Sequence, residues 1–376
     1  MANRQLRLAI LDNFSYQKYI TTRVKEFYIN GIDLAVHDAK EHGIDIVYRV
    51  YQYEPDHIER LAIRKQLPAL LKWKPDVIIG PRDSNNFLLL KYFIKDVLTI
   101  SSFATANGVA QMPKNFYSME LPVKYSAKAM YDFITADYPK SAAFVITDVE
   151  CKSCDDESTN FVNLWKANNP LPIVQHYFLT NDASTLNLEE LLRDYKKGDV
   201  ILLPNNAHET AIMMALIEQI IPDDAVFVGG DGWGAWNDTE VGKFGADKNY
   251  TAYHLTPWNI DVCTPRVKRF YTQYNEYYKK QPESKLSYLS YETLMAVVIA
   301  IEKYHDKRNQ FTPPSVLLAF QDALKENPNW FRPMNYAVMR IHKGSVGVFA
   351  IVDNISNKIR YANNNRQSFQ RCSLNE

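Results

Sequence analysis

No stretch of this sequence is apolar for long enough to cross a bilayer. The longest runs, Ala211–Ile217 and Leu294–Ile301, fall well short of the roughly 20 residues that a spanning helix requires. Charge of one sign is also missing. Lys plus Arg total 43 and Asp plus Glu total 43, so no global field draws the chain to phosphate or anionic lipid, which argues against nucleic acid and membrane surface as partners. The first residues carry no basic-then-apolar leader, because Met1 and Ala2 run almost directly into Leu6–Leu11. A start of that kind implies either a cytoplasmic protein or one whose leader has been removed. Cysteine is scarce. Cys151, Cys154, Cys263 and Cys372 permit at most two disulfides, and a lone Cys-x-x-Cys without a second pair or a His pair is a poor zinc site. A redox motif would require that pair at a helix N-terminus, which spacing alone does not establish.

The common signatures of catalysis are missing as well. There is no GxxxxGK[ST] loop and no GxSxG elbow, and His208-Glu209-Thr210 lacks the second His of a metalloprotease helix. Gly229-Gly230-Asp231-Gly232-Trp233-Gly234 does not fit GxGxxG. Its glycines instead allow a sharp turn that puts Asp231 at the edge of a sheet. What is present is ordinary globular composition, with 46% hydrophobic and 23% charged residues over 376 positions, a length that suggests two domains. Tyr271, Tyr274, Tyr277 and Tyr278 fall at helical spacing and read as a packing face.

Short apolar runs alternate with amphipathic stretches. Strands are expected at Leu8–Leu11, Ile44–Tyr51, Asp76–Pro81 and Val97–Ser101, with helices near 24–39, 56–71 and 85–93 between them. A second run of the same kind has strands at Ala142–Thr147, Ile173–Phe178, Asp199–Leu203 and Ala225–Gly230, with helices at 123–137, 158–167, 188–195 and 207–220. From Pro265 the pattern turns helical, with helices at 267–280, 288–304 and 314–325, and then gives two strands at 336–341 and 346–352. The fold class is therefore α/β, with two doubly wound parallel-sheet lobes.

In such sheets ligands sit outside the carboxyl ends of strands. The segments to inspect are Asp12–Tyr16, Arg82–Asn85, Ser101–Thr105, Thr147–Cys151, Asn205–His208 and Asp231–Trp233. Ser84 precedes a helix and can cap it or reach a ligand. Ser102–Thr105 supplies hydroxyls and backbone N–H groups suited to a carboxylate, though plain turn chemistry needs the same groups.

Lys74–Pro81, Ser84 and Val97–Thr105 resemble the third and fourth strand segments of type I periplasmic binding proteins, in particular the leucine/isoleucine/valine-binding branch. Further segments agree in order along nearly the whole chain, among them Ile32–Ala39, Asp199–Ile220, Phe227–Gly232 and Arg269–Tyr271 through Tyr291–Leu294. The resemblance implies two lobes joined by a three-stranded hinge, with lobe 1 formed by residues 1–121 and 258–333 and lobe 2 by 122–257 and 334–376. Crossings are expected near Leu121–Val123, His254–Pro257 and Pro333–Tyr336. It further implies a non-catalytic, monomeric receptor without a cofactor, which closes on an amino acid or similar small carboxylate in the interlobe cleft and delivers it to an ABC permease. A sensory domain on the same fold is the alternative, and an α/β enzyme a third reading.

Residue by residue, Ser84 and Thr105 match positions that hold an α-carboxylate by side chain. Phe103 and Thr105 match positions that use backbone N–H, and Asp231 matches the acid that takes the α-ammonium. Ser102, Tyr16 and Asn206 complete the expected site. The chain departs from the family at Phe103, where a small residue is usual, at Cys151-Lys152-Ser153 in place of Tyr-Gly, and at Asn13–Tyr16 in place of a glycine loop. Phe103 and Tyr16 would narrow the pocket or stack on an aromatic ligand. An importer's receptor meets solute outside the inner membrane, so the native gene is expected to encode an export leader, with Cys263 and Cys372 then open to oxidation.

Overall fold

The computed structural model describes residues 5–14, 21–53, 59–179, 182, 186–221, 225–233, 250–257, 262–305, 310–342, 345–353, 356 and 358–362. The chain divides into two compact units: unit 1 is Met1–Leu121 with Lys268–Pro333, and unit 2 is Pro122–Val267 with Met334–Glu376.

Unit 1 is built on a wholly parallel sheet in the order β2-β1-β3-β4-β5, from β1 (Leu6–Asp12), β2 (Ile46–Gln52), β3 (Val77–Ile79), β4 (Leu98–Ser101) and β5 (Phe116–Ser118). The central strands are buried on both faces; β3 is accordingly an unbroken apolar run, while β4, Leu98-Thr99-Ile100-Ser101, buries two hydroxyl side chains among its apolar ones. The crossover helices are α1 (Thr21–Ala39), α2 (Glu59–Trp73) and α3 (Ser84–Leu90). β5 was not expected. It follows a short 3₁₀ turn at Asn107–Gln111, and its three residues are too few for periodicity to register.

The later helices of unit 1 are α8 (Pro265–Tyr278, whose first residues belong to unit 2), α9 (Lys285–Tyr304) and α10 (Pro313–Glu326); α4 to α7 lie in unit 2. α9 is buried along almost its whole length and lies against α1. Their contact is unusually close. A Cβ on Gly31 would fall 2.0 Å from the Ser287 carbonyl oxygen. In its place, Ser287 and Ser290 donate hydroxyl hydrogen bonds to the carbonyls of Phe27 and Tyr28, at 2.8 and 2.7 Å. α10 begins with a capping box between Thr312 and Ser315 and carries prolines in its first turn, which explains its sharp start.

Unit 2 repeats the winding. Its helices are α4 (Val123–Asp137), α5 (Lys152–Asn168), α6 (Leu188–Leu191) and α7 (Ala207–Ile220). Strands β6 (Ala143–Asp148), β7 (Ile173–Phe178), β8 (Val200–Leu202), β9 (Val226–Gly229) and β10 (Thr251–Thr256) run parallel in the order β7-β6-β8-β9-β10. Residues 254–256, expected at a crossing, lie inside β10. Three antiparallel strands extend this sheet beyond β10: β11 (Asn335–His342), β12 (Ser345–Asp353) and β13 (Lys358–Tyr361). β13 was not expected, since Lys358-Ile359-Arg360-Tyr361 is exposed or half-buried along its length and lacks an apolar run. Core clusters line both faces of the sheet, one around Phe133, Phe161, Trp165 and Tyr253 and the other around Phe144, Met213, Phe227 and Trp233.

Candidate functional site

A sheet wound 2-1-3-4-5 sends its connections to opposite faces at the first strand, which opens a crevice at the carboxyl ends of β1 and β3 in unit 1. Asp12 ends β1 and is buried. One of its oxygens accepts the backbone N–H of Asn13 at 2.9 Å and that of Arg82 at 3.4 Å, and the other accepts Arg82 Nε. Arg82 Nη2 also donates to the Asn13 carbonyl at 3.2 Å, and the guanidinium lies 5.6 and 5.5 Å from the ring centroids of Phe14 and Tyr28. Burial pushes the Asp12 carboxyl up, while the Arg82 cation pulls against it. Burial would lower Arg82, but the Asp12 carboxylate outweighs this and holds the guanidinium protonated. Both residues head segments that the strand ends marked, but their pairing was not foreseen, because it joins the ends of two strands 70 positions apart.

Ser84 does not cap α3. Asp83 does, accepting the backbone N–H of Asn86 at 2.7 Å, with the Tyr53 hydroxyl donating to its second oxygen at 3.1 Å. Ser84 Oγ instead accepts the backbone N–H groups of Thr105 and Ala106, at 3.0 and 3.1 Å. This splices the loop after β3 to the loop after β4. Both acceptor positions of the hydroxyl are thereby used, so its proton is what it has left to offer. The same geometry engages the expected backbone donors within the loops: Thr105 N–H is held by Ser84, and Phe103 N–H points at Ser101 Oγ, 3.3 Å away.

The Thr105 hydroxyl has no hydrogen-bond partner among the described residues. Phe103 is half-buried, with Lys285 Nζ 5.7 Å from its ring centroid. Ser102 is placed differently from Ser84 and Thr105. Fully buried, it bridges the Tyr28 hydroxyl at 2.7 Å and the Thr293 hydroxyl at 3.0 Å, so it faces α1 and α9 rather than a ligand. Burial also pushes the Tyr28 phenol up. Tyr16 lies outside the described residues.

In unit 2 the equivalent crevice falls at the ends of β6 and β8. Asn205, which was expected only as part of a loop, clamps it. Its Oδ1 accepts the Asp148 backbone N–H at 2.8 Å, and its Nδ2 donates to the Ile146 carbonyl at 2.9 Å, continuing the sheet where the β6–β8 ladder has stopped. Asp148 Oδ1 in turn accepts Glu150 N–H at 2.9 Å. Asn206 is half-buried and stands at the N-cap of α7 without a side-chain capping bond.

Asp231 opens a short 3₁₀ turn, Asp231–Trp233, after β9, and its side chain lies outside the described residues. The neighbouring turn accounts for one glycine. A Cβ on Gly230 would stand 2.3 Å from Glu157 Oε2, so only glycine leaves room for that buried carboxylate, which also accepts the Ser126 hydroxyl. Glu157 comes from the middle of α5, and nothing in the sequence marked it. Chemically, the unit 1 edge offers hydroxyl donors beside a neutralised ion pair, and the unit 2 edge offers carboxylate.

Cys151 and Cys154, left open between metal, redox and disulfide readings, form a disulfide at the start of α5. α5 begins six residues before the expected helix, because Cys151 itself supplies the cap. Cys263 is also disulfide-bonded, and Cys372 lies outside the described residues. Among the described residues no helix is long and apolar enough to cross a membrane.

No family model matches the chain, and no curated protein matches it. Solved structures do. The leucine-binding protein LivK of Thermotoga maritima superposes with a TM-score of 0.77 at 18% identity, over 93% of this chain and 99% of that one. The branched-chain amino acid substrate-binding protein LivJ of Streptococcus pneumoniae, in complex with isoleucine, gives 0.72 at 15% identity, over 96% and 99%. A solute-binding protein of R. palustris in complex with benzoate gives 0.71 at 13% identity, over 99% and 100%. Similarity that spans both units in sequence order, at these identities, establishes architecture: the chain has the fold of the type I periplasmic binding proteins.

Proposed function

We propose that the chain is an extracytoplasmic solute-binding protein of an ABC importer that binds an amino acid or similar small carboxylate and hands it to a permease. The observation that carries this reading is Ser84, whose hydroxyl has both acceptor positions filled by the backbone N–H groups of Thr105 and Ala106 and retains a proton at the unit 1 crevice, with the Thr105 hydroxyl on the loop it braces. Two hydroxyl donors suit a carboxylate, since hydrogen bonds to charged groups are worth about 1.5–3 kcal/mol. The neighbours' ligands support the choice: isoleucine, leucine and benzoate share a carboxylate, whereas the ammonium group is found in the amino acids alone. Asp231 takes the ammonium in this proposal. Capture of the ligand between the lobes, with hinge closure, follows from the resemblance and belongs to the same proposal.

A thermal-shift screen of amino acids, their deamino analogues and small aromatic carboxylates, followed by calorimetry on the hits, tests it. Asp231→Ala should weaken an amino-acid ligand by about 2 kcal/mol, roughly 30-fold, and leave a ligand without ammonium almost unchanged. Thr105→Ala should weaken both kinds. Full affinity of both variants for every ligand found would remove the site.

A further inference from the structure

We propose that Cys151–Cys154 is a redox-active disulfide that exchanges with a dithiol partner, an activity of unit 2 that does not depend on the solute-binding reading. Cys151 is the N-cap of the 17-residue helix α5, and its sulfur accepts the backbone N–H of Cys154 at 3.4 Å, with the Ser153 hydroxyl 3.5 Å away. A sulfur so placed is favoured as thiolate by the helix N-terminus and by donors already aimed at it. Lys152, paired with Asp156 at 2.6 Å and Asp155 at 3.3 Å, offsets the acidic side chains of the same turn.

The two sulfurs differ in access. Cys151 is half-buried while Cys154 is 6% exposed, and the residue two before Cys151, Val149, is an exposed apolar side chain against which a partner can seat. The bond is also a poor staple: it closes a separation of 3 residues, so it removes little chain entropy, and the loop before it is already fixed through Asp148 and Asn205. The local fold therefore does not depend on the bond and can survive its opening.

The exchange runs in two displacements. A partner thiolate attacks Cys151 Sγ, the bond to Cys154 breaks, and Cys154 leaves as a thiolate that takes a proton from solvent. The partner's second thiolate then attacks the partner sulfur of the mixed disulfide and releases Cys151 as a thiolate at the helix end. Two electrons pass to the chain, and the partner departs as a disulfide.

The full chain is titrated with dithiothreitol at neutral pH, quenched with a maleimide, digested and weighed. Cys151 and Cys154 should become modified together at dithiol concentrations about tenfold or more below those that open the bond at Cys263, with circular dichroism and thermal midpoint retained. In Cys154→Ser, Cys151 should react with an aromatic disulfide reagent with a pH midpoint about one unit or more below the ordinary value of about 8.5. A pair that opens only as the protein unfolds overturns the proposal, and so does a Cys151 midpoint at or above the ordinary value. If the variant does not fold, the titration of the native chain decides alone.

Discussion

Replacing Asp12 with Asn removes one charge from a buried pair and leaves the other in place. Asp12 is 2% exposed and the Arg82 side chain 15%, so little solvent is at hand to screen the orphaned guanidinium. Asparagine keeps an acceptor for the Asn13 N–H, so the loss falls mainly on charge. Breaking one partner of a buried pair costs about 3–5 kcal/mol, and we expect about 3 kcal/mol for Asp12→Asn and a similar loss for Arg82→Met. Replacing both by apolar residues, Asp12→Leu with Arg82→Met, should cost far less than the sum, with a coupling of about 2 kcal/mol or more.

In urea the single variants should shift the midpoint of unit 1 by about 1.5 M for a slope near 2 kcal/mol/M. Hydrogen exchange of β1 and β3 peptides reads that unit separately. The pH dependence has a definite sign. Burial holds the Asp12 carboxyl above its unfolded value, so the folded state takes up this proton first, and the coupling fades on acidification without Asp12 itself driving acid unfolding. Additive losses, or an Asp12→Asn cost under about 1 kcal/mol, would refute the argument.

Gly31→Ala should destabilise unit 1 by about 3 kcal/mol in the same urea assay, because the new methyl meets the Ser287 carbonyl and α1 and α9 must separate; a cost within experimental error would show that the helices slide freely. Alkali should unfold the protein cooperatively. Burial pushes the phenols of Tyr28, Tyr53 and Tyr291 up and that of Tyr117 up to about 12, so the folded state keeps protons that the unfolded state loses. The stability from these groups is complete below the unfolded value near 10 and is lost as pH rises through the folded values. Phenolate absorbance should show a deficit above about pH 10 that disappears on adding denaturant.

The winding of both units was legible because a parallel strand covered on two faces must be apolar throughout, and Val77-Ile78-Ile79 and Val200-Ile201-Leu202 meet that demand in the sequence itself. Elements whose burial is set from elsewhere were not legible, as with β13, a short exposed edge, and β5. The site divides in the same way. Strand ends pointed to Ser84 and Thr105, but sequence could not say which polar atoms the backbone had already claimed. Ser102 and Ser84 have the same hydroxyl, yet one is sealed between Tyr28 and Thr293 and the other braces a loop. Asp12 with Arg82, and Glu157 beneath Gly230, are pairings across long separations, and no local pattern encodes them.

The division of each unit between distant chain segments bears on how the protein is made. α1 leaves the ribosome with its Gly31 face bare, and the serines that close on it come about 260 positions later. Likewise β10 must wait for β11, which begins at Asn335, before that side of it is paired. Neither unit can complete its core during most of synthesis, so a nascent chain shows apolar helix face and strand edge for the whole interval. Truncations after Leu121 or after Val267 should accumulate as aggregates, and a rearranged chain of unit 1 alone, with residues 268–333 joined by a linker to residues 1–121, should fold with less chaperone assistance than the natural order does.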